Sequence, residues 1–269
     1  MRLISGFAIS VILVLSSLSF AVGEQCLDFL QTSANYASAS PQADIWKTLR
    51  TRHLLVNQLS IPGMDGLCGP TCAINLLQAA ALVSGQTPIA DPQSRFEALA
   101  IKYYHDPAGF TPLQIHSAMR ELMQELVGVG FKVSGYRIGR SYYDEEKKYF
   151  EEVKTYTPEL LQIERRKLKL LLSVQFDAEG RAIAGHVQAI EGFDGQTIDL
   201  VEPRMEELSM HAVLSGSTEV RGVTVPMYRY EGPHRLEGVA GFAPFCIISV
   251  EVEKQKAPTI FQKILNWFR

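Results

Sequence analysis

Two cysteines four residues apart, Cys68 and Cys72 in the stretch GLCGPTCAINLL from Gly66 to Leu77, are the residues whose type and spacing first suggest chemistry. A redox dithiol needs two residues between its sulfurs, and a zinc site needs a second pair of ligands that the neighbourhood does not supply. What remains is thiol nucleophilicity. Pro70 sits where a first helical residue is favoured, so Cys68 falls at a helix N-terminus, near the positive end of the dipole and close to unpaired N–H groups that favour the thiolate. Cys72 lies one turn inside on an apolar stripe, where packing explains it.

A thiolate nucleophile requires a base, normally a histidine brought in by the fold. Of the six histidines, His53, His105, His116, His211 and His234 occupy turn, helix or polar settings. His186 opens an expected strand in GHVQAIEGFDGQTIDLVEP, after the turn Asp177-Ala178-Glu179-Gly180. The strand passes through the tight turn Phe193-Asp194-Gly195-Gln196 into a second strand ending at Glu202-Pro203. Asp194, Asp199 and Glu202 are the carboxylates able to orient an imidazole. Asp194 is at the wrong end of the hairpin, and alternation along the second strand puts Glu202 with Ile198 and Leu200, opposite in facing to Asp199. Antiparallel pairing centred on Asp194 and Gly195 sets His186 near position 202 or 203, which favours Glu202.

The elements that must position these groups follow from periodicity and punctuation. A helix from Cys68 to a stop at Gly85 is apolar almost all round and therefore buried. Ile45 to Leu55 is a helix or strand. Further helices are expected over Pro92–His105, from Thr111-Pro112 through Leu126, over Asp144–Val153, and from Thr157-Pro158 to about Lys167. Strands are expected at Phe131–Ile138, Leu170–Phe176, His186–Glu191, Thr197–Val201, Val220–Arg229 and Ala243–Glu253. Helices first and strands second is an α+β order.

CGPTCAINLL resembles the cysteine motif of papain-fold peptidases of the bacteriocin-processing, double-glycine-leader type. GHVQAIEGFDGQTIDLVEP is similar to their histidine block, which typically ends in Asp-Pro. The resemblance covers roughly residues 58–203. It implies a papain-like α+β fold in which a central helix carrying Cys68 packs with an N-terminal helical part on a C-terminal antiparallel sheet. It also implies a cysteine peptidase or related amide hydrolase, with Cys68 as nucleophile, His186 as base and acid, Glu202 as orienter and Gln58 as oxyanion-hole donor. Gln58 stands ten residues before Cys68, where the family's glutamine is about six before, so Asn57 or backbone groups alone are the alternatives. Glu202 replaces the family's aspartate. A silent module of the same fold that binds peptides is the competing function.

At the N-terminus, Met1-Arg2-Leu3, an apolar run from Phe7 to Leu18 and small residues before Gly23 have the form of a signal peptide over residues 1–23. This implies an exported protein, periplasmic or secreted, with a single domain over 24–269 and no stable membrane span once the signal is removed. Export favours a disulfide between the two cysteines outside the motif, Cys26 and Cys246. Residues 258–269 carry apolar residues at helical spacing and are expected to form an amphipathic C-terminal helix. With 46% hydrophobic residues, 20% charged residues and a net charge of -3, the chain has a globular composition and no basic field for nucleic acid. The expected partner is a peptide or protein substrate, with no cofactor and no metal.

Overall fold

The computed structural model describes residues 41–60, 66–103, 110–141, 143–204, 209–231, 236 and 238–253. The signal peptide, Cys26 and the expected C-terminal helix lie outside these residues. Among these residues four α-helices come first: α1 (Ala43–Thr51), α2 (Cys68–Ser84), α3 (Pro92–Tyr103) and α4 (Pro112–Met123). Eight strands follow: β1 (Phe131–Ile138), β2 (Phe150–Val153), β3 (Lys167–Phe176), β4 (Ala182–Phe193), β5 (Thr197–Val201), β6 (Met210–Val220), β7 (Val223–Glu231) and β8 (Gly241–Val252).

The sheet runs β2-β1-β8-β3-β4-β5-β6-β7, and β7 returns to β8 through the pair Tyr228↔Phe242. Strands β3 to β8 thus close a six-stranded antiparallel barrel, with β1 antiparallel to β8 and β2 parallel to β1 as two additions outside it. This overturns the expected papain-like α+β arrangement of helices packed on a sheet. The difference originates in β6 and β7. The sequence suggested one strand over Val220–Arg229, whereas Arg221-Gly222 is the turn of a long hairpin, with Val220↔Val223 as its last pair. Both turn residues have positive φ. The missing strand is what carries the sheet round to β8.

Two other expected helices are absent. Asp144–Val153 forms a 3-10 turn at Glu146–Lys148 and then β2, and Thr157–Lys167 holds only a 3-10 turn at Pro158–Leu160. Charged helix formers gave the first its helical look, but Phe150 and Val153 are drawn into pairing with Gly135 and Ile138. Tertiary pairing outweighs propensity differences of a few tenths of a kcal/mol per residue.

All six barrel strands contribute to one apolar core, among them Leu171, Ile190, Leu200, Ala212, Tyr230 and Phe242. A second core lies between the helices and one flank of the barrel, joining α2 to Leu170, Leu172, Val187, Ala189, Val201 and Cys246. Alternation within β4 decides which core each residue enters: Val187 and Ala189 face the helices, while His186, Gln188 and Ile190 face the barrel lumen. α2 is buried along nearly its whole length and ends at Gly85 with φ +86°, a left-handed cap that glycine adopts without a Cβ clash. Among the described residues, no helix is long and apolar enough to cross a membrane.

Candidate active site

Cys68 is the first residue of α2. The helix is fixed by polar groups inside an otherwise apolar surface. Asn75 Nδ2 donates to the Val56 carbonyl (3.1 Å) while its Oδ1 accepts from the Val56 N–H (2.8 Å). Gln78 Nε2 donates to the carbonyls of Leu54 (3.2 Å) and Ile89 (2.9 Å). These bonds set the strand-like segment before Gln58 against the helix that carries Cys68. Neither residue was singled out from sequence, although a lone amide inside a buried helix is a signal, because such a group must find a partner.

His186 is the fifth residue of β4 rather than its first, since the strand begins at Ala182. On the other side β5 ends at Val201, opposite Ala189, so β4 from Gln188 back to Ala182 has no β5 partner. The first turns of α2 meet β4 there: Cys72 Sγ donates to the Val187 carbonyl (3.2 Å). The end of β5 is therefore what lets the helix N-terminus come beside His186.

Glu202 follows β5 and is fully buried with His186. His186 Nε2 lies 2.8 Å from Glu202 Oε1 and 3.0 Å from Oε2. The carboxylate also accepts from Gln188 Nε2 (2.6 Å) and from the Arg204 N–H (3.0 Å). Tyr230 Oη donates to Gln188 Oε1 (3.4 Å), which extends the chain of bonds across the barrel. The observed register, Ala189↔Val201, has indices summing to 390 (189 + 201) and continues to Gln188 opposite Glu202. The sum of 388 or 389 expected from the turn was too small because the turn closes on Phe193↔Ile198, whose indices sum to 391 (193 + 198), and the β4 bulge at Glu191, between the pairs Ile190↔Leu200 and Gly192↔Asp199, takes back only one. Arg50 of α1 holds Glu191 through its carboxylate. Gln188 was missed, yet it sits two residues beyond His186 on the same strand face.

With Nε2 committed to Glu202, Nδ1 is the nitrogen left for the thiol. Nδ1 makes no bond of strict geometry, so the Cys68–His186 contact is loose, as catalytic contacts commonly are before substrate arrives. Burial pushes the Cys68 thiol up, but hydrogen bonding and charge from His186, with help from the Val187 N–H and Arg204, more than offset this and hold it below its ordinary value. For His186, burial disfavours the cation, and the Glu202 charge with bonds to Cys68 and Glu202 reverses that, raising it to about 9. The pair therefore favours thiolate and imidazolium. Cys72, one turn deeper, is pushed well up by burial and by the neighbouring Cys68 and Glu202 charges.

Gln58 is buried, and its backbone N–H donates to the Pro203 carbonyl (3.0 Å), which ties it to the residue after Glu202. Its Oε1 has no hydrogen-bond partner among the described residues. Asn57, the alternative, uses Oδ1 to accept from the Leu59 N–H (2.8 Å), a local turn. Asp199 pairs with His211 Nδ1 (2.6 Å) on the exposed side of the barrel, and Asp194 accepts from the N–H groups of Gln196 (2.9 Å) and Thr197 (2.6 Å) to build its turn. Cys26, the partner expected for Cys246, lies outside the described residues, and Cys246 is a free, fully buried thiol. Its side chain lies in the helix-covered core, where α2, α4 and β1 leave no approach.

No protein-family model matches the chain, and no curated protein is similar enough to it to count as a relative.

Proposed function

We propose that the protein is a cysteine-type amide hydrolase, most simply a peptidase, acting in an exported compartment through Cys68, His186 and Glu202. The observation that carries the reading is the buried chain from the Glu202 carboxylate through His186 to a thiol at a helix N-terminus. Each link has a chemical purpose. Glu202 accepts from Nε2–H and stabilises the imidazolium. Nδ1 takes the thiol proton, and the Cys68 thiolate attacks the amide carbonyl carbon. As the C–N bond breaks, the Nδ1 proton passes to the leaving amine. Water, deprotonated by the same nitrogen, then cleaves the thioester and regenerates the thiol. The oxyanion is held by the free N–H groups at the start of α2 with Gln58 Nε2 as the side-chain donor. Similarity of the CGPTCAINLL and GHVQAIEGFDGQTIDLVEP blocks to those of double-glycine-leader peptidases supports the same reaction class.

The test is turnover of an internally quenched peptide library by the full mature chain and by Cys68→Ala. Turnover that falls to background in the variant, with an unchanged melting curve, is the expected result. Turnover that survives removes the assignment, and none in the wild type under reducing conditions favours a silent peptide-binding module.

A further inference from the structure

β3 turns Leu171, Ser173 and Gln175 to the lumen, because each stands level with a lumen-facing residue of β4: Leu171↔Gln188, Ser173↔His186 and Gln175↔Ala184. Ser173 is fully buried, and its Oγ has no hydrogen-bond partner among the described residues. A buried hydroxyl left in that condition costs about 1–3 kcal/mol, so a serine at this position calls for a partner. The register leaves few candidates. On the β8 side Ser173 faces Pro244, which offers neither an N–H nor a polar side-chain atom. Along its own strand face Leu171 is apolar, and the Gln175 amide lies against the Tyr230 hydroxyl. The diagonal neighbour Gln188 is engaged at both ends, by Glu202 and by Tyr230. That leaves His186, whose Nδ1 is also buried and also without a bond of strict geometry. Directly opposed residues of an antiparallel pair start about 5 Å apart at Cβ, within the combined reach of a serine hydroxyl and a ring nitrogen.

We propose that Ser173 is a positioning residue for His186, its hydroxyl partnering Nδ1 whenever that nitrogen is not engaged with the thiol or the substrate. The inference rests on the reading of Cys68, His186 and Glu202 as a hydrolytic site. A hydroxyl suits the role because it is both donor and acceptor. It accepts from the Nδ1–H of the imidazolium and, by rotating, donates to the Nδ1 lone pair of the neutral ring. Glu202 fixes one nitrogen and Ser173 the other, so the ring keeps its plane as the proton comes and goes. This counts most in the acyl-enzyme, where Cys68 Sγ is bonded to the acyl carbon and the amine has left. The bond to the imidazolium is charge-assisted and the stronger of the two, so removing the hydroxyl makes the ring release its proton more readily.

The test compares Ser173→Thr with Ser173→Val, which add the same bulk and differ only in the hydroxyl, and includes Ser173→Ala, which adds none. One measurement is turnover of internally quenched peptides against pH by the full mature chain. Ser173→Thr should keep kcat within about three-fold of the wild type, whereas Ser173→Val and Ser173→Ala should lose about ten-fold in kcat with KM within about two-fold. The alkaline limb of the Val and Ala profiles should fall about half a pH unit below that of Ser173→Thr. The other measurement needs no turnover: an NMR titration of the ¹⁵N-labelled His186 ring in Cys68→Ala, assigned by the signal lost in His186→Gln. There Ser173→Val should release the ring proton about half a pH unit lower than Ser173→Thr. Thr and Val variants that agree in kcat and in titration overturn the assignment, and so does an Ala variant that matches the wild type in both. An equal loss of kcat in all three variants is the mark of packing and overturns it as well. A hydroxyl-dependent titration in a protein that cleaves no peptide rejects the hydrolase reading and leaves the Ser173–His186 contact standing, whereas cleavage indifferent to the hydroxyl rejects the role of Ser173 alone.

Discussion

Two buried clusters among the described residues contain the same three kinds of group, a cysteine, a cation and a glutamate, and one of them holds its thiol below the ordinary range while the other holds it above. Cys246 lies near Arg137, whose guanidinium sits 3.7 Å from Glu146 and 5.0 Å above the Phe245 ring. Ser141 Oγ donates to the same carboxylate (2.7 Å). Burial pushes the Cys246 thiol up, Arg137 opposes this only in part, and the thiol is left at about 12. Cys68 is also buried, though 8% exposed where Cys246 is fully enclosed, and its cation is an imidazole oriented from behind by Glu202, to which a strand N–H and a helix N-terminus add. A nearby cation does not make a thiolate if its charge is already spent on a carboxylate and a ring. The carboxylate in the first cluster competes with the thiol for its cation, while in the second it stands behind the cation and sustains it.

The widest separation between the two clusters should be in thiol reactivity. A thiol near 12 is ionised to about one part in 10⁵ at pH 7, so iodoacetamide should label Cys68 at least about a thousand-fold faster than Cys246 or Cys72 in the folded, reduced protein. Peptide mapping of early time points reads this directly. Comparable labelling of Cys246 would erase the distinction.

Next in size is the effect of each glutamate. Glu202→Gln should lower kcat by about 100-fold with little change in KM, since the carboxylate acts on the imidazolium and not on substrate. Glu146→Gln and Asp199→Asn should each leave kcat within about two-fold. Steady-state kinetics on the three variants with one substrate decides the comparison, and a loss confined to Asp199→Asn would transfer the orienting role.

The pH profiles give a smaller but more specific signature. Alkylation needs only the thiolate, so its rate should rise at a pH below the ordinary thiol range and then stay flat. Turnover also needs the proton on His186, so it should fall as pH passes through about 9, where the imidazolium is lost. Glu202→Gln should move this alkaline limb to lower pH, because the carboxylate charge is the leading influence raising His186. The smallest effect should come from Gln188→Leu, which removes one bond to a carboxylate that retains two partners. A fall of roughly three- to ten-fold in kcat, in line with one hydrogen bond of about 1 kcal/mol, is expected in the same assay.

Much of the candidate site's geometry was legible in the chain. Cys68 could be placed at a helix N-terminus because Pro70 and the closing Gly85 are local signals, and His186 and Glu202 met because a tight turn sets two strands antiparallel whatever the rest of the fold does. What could not be read was set by distant pairing. The turn, which sets Phe193 opposite Ile198, together with the bulge at Glu191 held by Arg50, leaves Gln188 and not His186 level with Glu202. Closure of the barrel depends on β7 meeting β8, a contact between residues that no local periodicity links. The helical look of residues 144–153 came from charge pattern alone and gave way to pairing with β1.

The barrel's seam has a mechanical consequence. Among the described residues, Tyr228↔Phe242 is the one pair that joins β7 to β8 in register, and the neighbouring support is aromatic, with Phe242 stacked 5.5 Å from Tyr228 and tilted 4.9 Å from Tyr230. At the lip of the seam the Tyr228 carbonyl lies so near Gly241 that a Cβ there would fall 2.5 Å from it. A ladder of one rung resists shear poorly, so the cylinder should unzip along this line well before the molecule melts. Amide exchange in β7 would then run ahead of exchange in β3, and a single methyl at Gly241 would act as a wedge that holds the zipper ajar. Because Tyr230 touches Gln188, the tension of that zipper reaches the carboxylate behind His186.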